Sequence, residues 1–264
     1  MSTIQDAIAK ARATRNLTPT RQEMERGGDD PWAALTAFKP SIRRLRRNRI
    51  VAADGGRPAM DFDVIRTRMM QVMQANAWKR IAITSPTAAC GKSTMVMNLA
   101  YSLSRHRDHK TMVLEMDMRK PSLSRAMQIP GEQQFSRVLE GRADFTDHAV
   151  RVGDNMIFAT NVNAVNGSAE LLQSPGTAQV LDDLSATYAP DTMIFDMPPM
   201  LTGDDTMAFL ARVDCVLLLA ASEQTSIKQI DKCERDIASQ TNVMGVILNK
   251  CRYMDRDNAY DYYE

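Results

Sequence analysis

Residues 80–94, RIAITSPTAACGKST, constrain this chain more than any other stretch. They open on a short apolar run rich in β-branched residues, which reads as a buried strand. They end where the helical spacing of GKSTMVMNLAYSLSR (91–105) begins. Between the two lies Ser85-Pro86-Thr87-Ala88-Ala89-Cys90-Gly91-Lys92-Ser93-Thr94, a phosphate-binding P-loop in the strand–loop–helix context the motif requires. The residue types follow from the chemistry. Backbone amides of residues 88–93 are expected to cradle phosphate oxygens at a helix N-terminus. Gly91 lets the backbone approach closely. Lys92 is expected to reach the β- and γ-phosphates, and the Ser93 hydroxyl to ligate Mg²⁺. Thr87, Ala88, Ala89, Cys90 and Thr94 complete the predicted nucleotide-binding set. Pro86 occupies the position where the usual motif has Gly or Ala. Cys90 lies beside the helix start, where thiol pKa values tend to fall, although packing as a small residue is the plainer reading.

The rest of the chain repeats the rhythm. Apolar strand-like runs fall at 111–117, 157–161, 191–198, 215–222 and 243–249. Helical spacing falls at 60–74, 177–188, 206–213 and 226–240. Strands apolar on both faces that alternate with helices imply an α/β fold: a mostly parallel central sheet with helices on both faces and right-handed crossovers. Residues 1–47 mix Pro, Gly and charge with little periodicity and read as an arm, partly disordered or helical. The expected domains are this arm, a P-loop domain at 48–250 and a tail at 251–264.

Two strands end in acids. LEMDMRKP places Glu115 and Asp117 at the carboxyl end of one strand, and IFDMPP places Asp196 at the end of another. Ligands bind at that edge of an open parallel sheet. Asp196 reads as a Walker B aspartate that holds Mg²⁺. Glu115 and Asp117, two residues apart, are expected to share one face of an extended strand, where either holds metal or accepts a proton from an attacking hydroxyl.

Composition limits the partners. Lys plus Arg is 33 against 32 Asp plus Glu, a net charge of +1. That balance argues against nucleic acid as a partner coating the whole surface. Arg43, Arg44, Arg46, Arg47 and Arg49 form a local basic run. It reads either as a solvated helix face or as a membrane-surface contact, each cation adding ~1 kcal/mol at anionic lipid. No run approaches the ~20 apolar residues of a membrane span, the N-terminal stretch lacks a signal-peptide core, and the four cysteines are scattered. A reduced, cytoplasmic setting follows as the expectation.

TSPTAACGKST, LEMDMRKPSL and IFDMPPMLTGDDTMAFL, in that order, resemble the bacterial tyrosine kinases of capsule and exopolysaccharide synthesis, the CpsD/CapB-like P-loop autokinases. That family carries a Walker A box, an A-prime box ending in Asp-x-Asp-x-Arg and a Walker B box ending in Asp-x-Pro-Pro. Further matches at 121–150, 167–175 and 245–249 extend the resemblance over about residues 48–250. It implies a P-loop NTPase fold of the partition and septum-site ATPase branch. It also implies ATP and Mg²⁺ as cofactors, Ser93, Asp117 and Asp196 around the metal, and a catalytic set of Lys92, Glu115, Asp117, Arg119 and Asp196. Arg119 matches the A-prime arginine near the phosphates, and Asn249 a residue near the adenine. Thr87 stands where the partition ATPases carry a signature lysine. Glu115 replaces the first Asp of the A-prime box, Ala89-Cys90 stands where the family often has Gly-Glu, and Asp63-x-x-Arg66 keeps part of the family's oligomerisation box.

The tail contains Tyr253, Tyr260, Tyr262 and Tyr263 among Asp255, Asp257, Asp261 and Glu264. The family has such a tail, so these tyrosines are the expected phosphoacceptors, each phosphate adding about −1.5 to −2 charge. The whole implies an ATP-dependent tyrosine autokinase, a homo-oligomer in some states, working at the inner face of the membrane through a polysaccharide co-polymerase partner. The rival readings are a catalytically weak nucleotide-binding regulator and a partition-type ATPase.

Overall fold

The apolar runs become strands of one eight-stranded sheet in the computed structural model, which describes residues 30–251, with the run at 243–249 on its half-exposed edge. The chain divides into two units, residues 1–34 and 35–264. In the first, Asp30 nucleates a turn: its carboxylate accepts the Trp32 amide at 3.1 Å and its carbonyl the Ala33 amide at 2.9 Å. The tail tyrosines Tyr253, Tyr260, Tyr262 and Tyr263 lie outside the described residues.

The second unit contains strands β1 (Thr36–Ala37), β2 (Arg80–Thr84), β3 (Thr111–Glu115), β4 (Ala149–Val152), β5 (Met156–Ala159), β6 (Thr192–Asp196), β7 (Cys215–Ala221) and β8 (Asn242–Asn249). Their order across the sheet is β1-β4-β5-β3-β6-β2-β7-β8. Every neighbouring pair is parallel except β4 and β5. All residues of β3, β6 and β7 are buried, as the double-faced apolar pattern requires. The helices are α1 (Ile42–Arg47), α2 (Met60–Ala75), α3 (Lys92–Ser104), α4 (Leu123–Met127), α5 (Phe135–Leu139), α6 (Ser168–Gln173), α7 (Pro175–Tyr188), α8 (Asp205–Phe209) and α9 (Ile227–Ala238). Local chemistry fixes several starts. Pro175 opens α7 behind Ser174, whose hydroxyl accepts the Thr177 amide. Ser226 and Gln229 form a capping box on α9.

Three expectations change. The strand β4 was not foreseen: four residues, AVRV, are too few for a period, and they pair with β5 through a turn at Gly153, whose φ is +65°. Strands β3 and β6 stop at Glu115 and Asp196, each two residues short of the predicted end. The amides of Met116 and Asp117 both donate to the Asp196 carbonyl at 2.9 Å, which turns the chain out of the ladder. Finally, the compact unit begins at Leu35, not at 48. Thr36 pairs with Val150, and Leu45 of the basic helix α1 is 1% exposed. A two-residue strand and a six-residue helix with one buried leucine leave no periodic signature.

Asn98 on α3 holds this early segment down. It is fully buried; its side chain accepts the amides of Val51 and Ala52 at 2.9 and 3.0 Å and donates to the carbonyls of Arg49 and Thr94 at 3.0 and 2.8 Å. On the other side, Arg44 and Asn48 donate to the carbonyls of Arg125 and Ala126 at the end of α4. Asn98→Ala should cost about 2–4 kcal/mol, because it strands buried amides and a carbonyl together. Urea denaturation followed by circular dichroism measures this.

Candidate nucleotide site

Strand β2 lies between β6 and β7, at the point where the sheet's connections reverse direction, and the P-loop leaves its carboxyl end. The loop is tied down by its carbonyls. Ser85 O accepts Met200 N at 2.9 Å, Pro86 O accepts Leu201 N at 3.0 Å, Thr87 O accepts the Ser85 hydroxyl at 2.6 Å, and Cys90 O accepts the Asn249 amide group at 2.8 Å. Met95 N donates to Gly91 O, so the amides of Lys92, Ser93 and Thr94 precede the first helical hydrogen bond. Ala89 and Gly91 have φ of 64° and 97°, the handedness alternation that forms an anion-binding concavity. Gly91 is dictated twice over. Its φ suits glycine, and a Cβ there would stand 2.5 Å from Asn249 Nδ2. Asn249, at the end of β8, thus buttresses the loop from outside. Cys90 is fully buried; burial raises its thiol, but hydrogen bonds from Thr87, Thr225 and Ser85 outweigh that and leave it below the ordinary range.

Lys92 is 7% exposed and close enough to Asp117 and Asp196 to pull both carboxyls downward. Burial dominates nonetheless. It raises Asp117, and it lifts the fully buried Asp196 to about 7, against the pull of Lys92 and the Ser93 hydroxyl. Apart from the nearby Ser93 hydroxyl, neither carboxylate oxygen of Asp196 has a hydrogen-bond partner among the described residues. An orphaned buried carboxylate beside a second acid and a serine hydroxyl is the donor set expected for a hard divalent cation completed by phosphate oxygens. Ser93, Asp117 and Asp196 therefore fit Mg²⁺, and the loop amides with Lys92 fit a nucleotide polyphosphate.

Glu115 and Asp117 do not share a strand face, because β3 ends at Glu115. Asp117 accepts the Lys120 amide at 3.2 Å. Glu115 is fully buried and turned to other backbone amides: Oε1 accepts Ser122 N at 2.5 Å and Leu123 N at 2.8 Å, and Oε2 accepts Asn161 N at 2.7 Å. Burial still lifts it to about 8, because desolvation outweighs these three donors.

Arg119 lies against acids of α8 and the residue before it. Its Nε is 2.7 Å from Asp205 Oδ2, and Nη2 is 3.5 Å from Asp204. Asp205 also accepts the Ser168 hydroxyl at the start of α6. Sequence reasoning assigned no role to Asp205, Ser168, Thr84 or Thr206. The hydroxyls of Thr84 and Thr206 both donate to Pro198 O, at 2.7 and 2.8 Å, and so pin the turn after Asp196. All four fall inside the stretches that carried the family resemblance, which was the available signal.

A family model described as ParA: NUBPL iron-transfer P-loop NTPase matches residues 76–262. The chain belongs to the ParA family of P-loop NTPases. Within this ParA-type group it resembles bacterial tyrosine kinases. CapB of Staphylococcus aureus is 28% identical over 206 residues, 76% of this chain and 88% of its own. Tyrosine-protein kinase YwqD of Bacillus subtilis (strain 168) is 25% identical over 224 residues, 83% of this chain and 92% of its own. The kinase domain of the Escherichia coli tyrosine kinase ETK shares the fold with a TM-score of 0.71 at 22% identity, over 78% of this chain and 81% of that one. The wider ParA-type fold includes the septum site-determining protein MinD of Pyrococcus horikoshii, solved with Mg-ADP.

Proposed function

We propose that this chain is an ATP- and Mg²⁺-dependent protein-tyrosine autokinase that modifies Tyr253, Tyr260, Tyr262 and Tyr263 between subunits. The observation that supports phosphoryl transfer is the gathering of Lys92, Ser93, Asp117 and the buried Asp196 at the P-loop. The likeness to named tyrosine kinases supports tyrosine as the acceptor. Mg²⁺, when bound, supplies charge neutralisation at the β- and γ-phosphates. The protein's own work is placement. The loop amides and Lys92 hold the phosphates in line, Asn249 fixes the loop's outer wall, and the Thr84–Pro198–Thr206 clamp fixes Asp196. Asp117 is the carboxylate proposed either to help hold the metal or to take the tyrosine proton. Arg119, anchored on Asp205, is the arginine proposed to meet the phosphates.

The setting is also a proposal: the inner face of the membrane, beside a polysaccharide co-polymerase. Among the described residues no helix is long and apolar enough to cross a membrane. Helix α1 buries Leu45 and leaves Arg43, Arg46 and Arg47 exposed, with Arg49 just beyond it, which supports a contact with anionic lipid. Met60, Val64 and Val72 are exposed on α2 and suit a contact between copies, while Asp63 and Arg66 of the same helix are engaged within the chain by Ser102 and Arg105. The test is incubation of the purified protein with ATP and Mg²⁺, read by anti-phosphotyrosine blot and mass mapping. Wild type should label on the tail, and the variant with all four tyrosines changed to Phe should not. A wild type that binds nucleotide yet stays blank, with the partner's cytoplasmic segment present, selects the regulator reading instead.

A further inference from the structure

We infer that Glu115 is a positioning residue, and that its glutamate length, rather than its charge, is what the nucleotide site uses. This rests on the nucleotide-site reading above. Three of the roughly four acceptor positions of a carboxylate are taken here by backbone amides from two separate segments. Ser122 and Leu123 start α4; Asn161 follows β5. Asn161 is itself locked in place, donating from Nδ2 to the Glu115 carbonyl at 3.0 Å and accepting the Ser136 amide of α5 at 2.9 Å. One side chain thus fastens α4, α5 and the end of β3 into a single block.

That block meets the site through Ser122. Its hydroxyl donates to the Ser93 hydroxyl at 3.1 Å, and Ser93 is the residue fitted to Mg²⁺. Glu115 fixes the Ser122 backbone at 2.5 Å, so it sets where the Ser93 hydroxyl stands. An aspartate from the same backbone position is shorter by one C–C bond, about 1.5 Å, which would leave the amides beyond hydrogen-bond distance. Misplacement on that scale at a reacting site is costly. Glutamate is therefore not a weakened aspartate here. The amides of Ser122, Leu123 and Asn161 are arranged at a glutamate's reach.

The two roles open to Glu115 predict opposite orders of variants. A group held for its charge near the metal tolerates Glu115→Asp and loses function in Glu115→Gln. A positioning group tolerates Gln, whose Oε1 still accepts from Ser122 and Leu123 while its Nε2, a donor, loses the Asn161 amide, better than Asp, which reaches neither segment. The measurement is ADP affinity by calorimetry with Mg²⁺ and with EDTA, on the full chain. We expect the Mg²⁺-dependent gain in affinity to fall about tenfold in Glu115→Asp, ~1.4 kcal/mol, and less in Glu115→Gln, with affinity in EDTA little changed in either. Hydrogen exchange at the Ser122, Leu123 and Asn161 amides should quicken in Glu115→Asp. Ser122→Ala, which keeps the backbone bond to Glu115, should lower the Mg²⁺ gain without quickening that exchange, and it carries the test if Glu115→Asp does not fold. Asp equal to wild type, or better than Gln, overturns the inference. A wild type that binds no nucleotide overturns the underlying reading instead.

Discussion

Replacing Asp196 with asparagine should make the nucleotide-free protein more stable at about pH 8, and at the same time remove the affinity for nucleotide that Mg²⁺ confers. Asp196 is fully buried, has no hydrogen-bond partner among the described residues beyond the nearby Ser93 hydroxyl, and is lifted by burial to about 7. Its native pKa exceeds the unfolded value of about 4. The native state therefore binds a proton that the unfolded chain has released, and this favours folding. That stabilisation is complete below about pH 4 and is lost as pH rises through about 7. At about pH 8 the wild type must bury a charge that asparagine does not carry. Exchanging a poorly compensated buried ion for a neutral group gains roughly 1–4 kcal/mol, several degrees in Tm for a chain of this size. Below about pH 4 the two proteins should melt together, and the gap should open as pH rises toward about 7. Glu115 follows the same trend with its carboxyl at about 8, so the comparison is between variant and wild type at each pH rather than along one curve. Scanning calorimetry at the two pH values, with and without Mg-ADP, decides it. Asparagine that destabilises equally at both, or that keeps the Mg²⁺ effect, would mean the carboxylate is not held in reserve for a cation.

Lys92→Met should reduce tail phosphorylation by at least ~10²–10³-fold, the usual cost of deleting one preorganised charge-stabilising donor. Methionine matches the length and apolar stem of the lysine, so the loop, anchored through Ser85, Pro86, Thr87 and Cys90 carbonyls, should keep its shape. The substitution also exposes the site's electrostatics. Lys92 pulls both Asp117 and Asp196 downward, with Lys120 adding to the pull on Asp117. Without Lys92 both carboxyls rise further, so the variant should lose stability against wild type at about pH 8, and less as pH falls below about 7 and Asp196 takes up its proton. Phosphotyrosine signal above a few per cent of wild type would show that Lys92 does not hold the transferred phosphate.

The strand–loop–helix at 80–104 and the buried strands at 111, 192 and 215 were legible because each rests on local chemistry. Strands apolar on both faces, a glycine that needs a left-handed φ, and a lysine and serine at a helix start all leave marks within a few residues. The hairpin partner β4 and the two-residue β1 were not legible, since a ladder that short is stabilised by its neighbours rather than by its own pattern. The basic helix α1 read either as a solvated face or as a membrane-surface contact, and its packing was not legible because Leu45 is its one buried residue.

At the site the same division holds. Sequence alone pointed to the candidate residues: the amide loop, Lys92, Ser93 and the acids near the ends of two strands, since a strand–loop–helix motif and an acid after an apolar run are local marks. Only the tertiary structure decided what each acid faces. Asp196 was left near Lys92 with no partner beyond the Ser93 hydroxyl, Glu115 was closed by amides from residues 122, 123 and 161, and Arg119 was drawn to Asp205. Those partners lie 7 to 86 residues away along the chain, and a carboxylate's role is set by whichever donors the fold brings within about 3 Å of it.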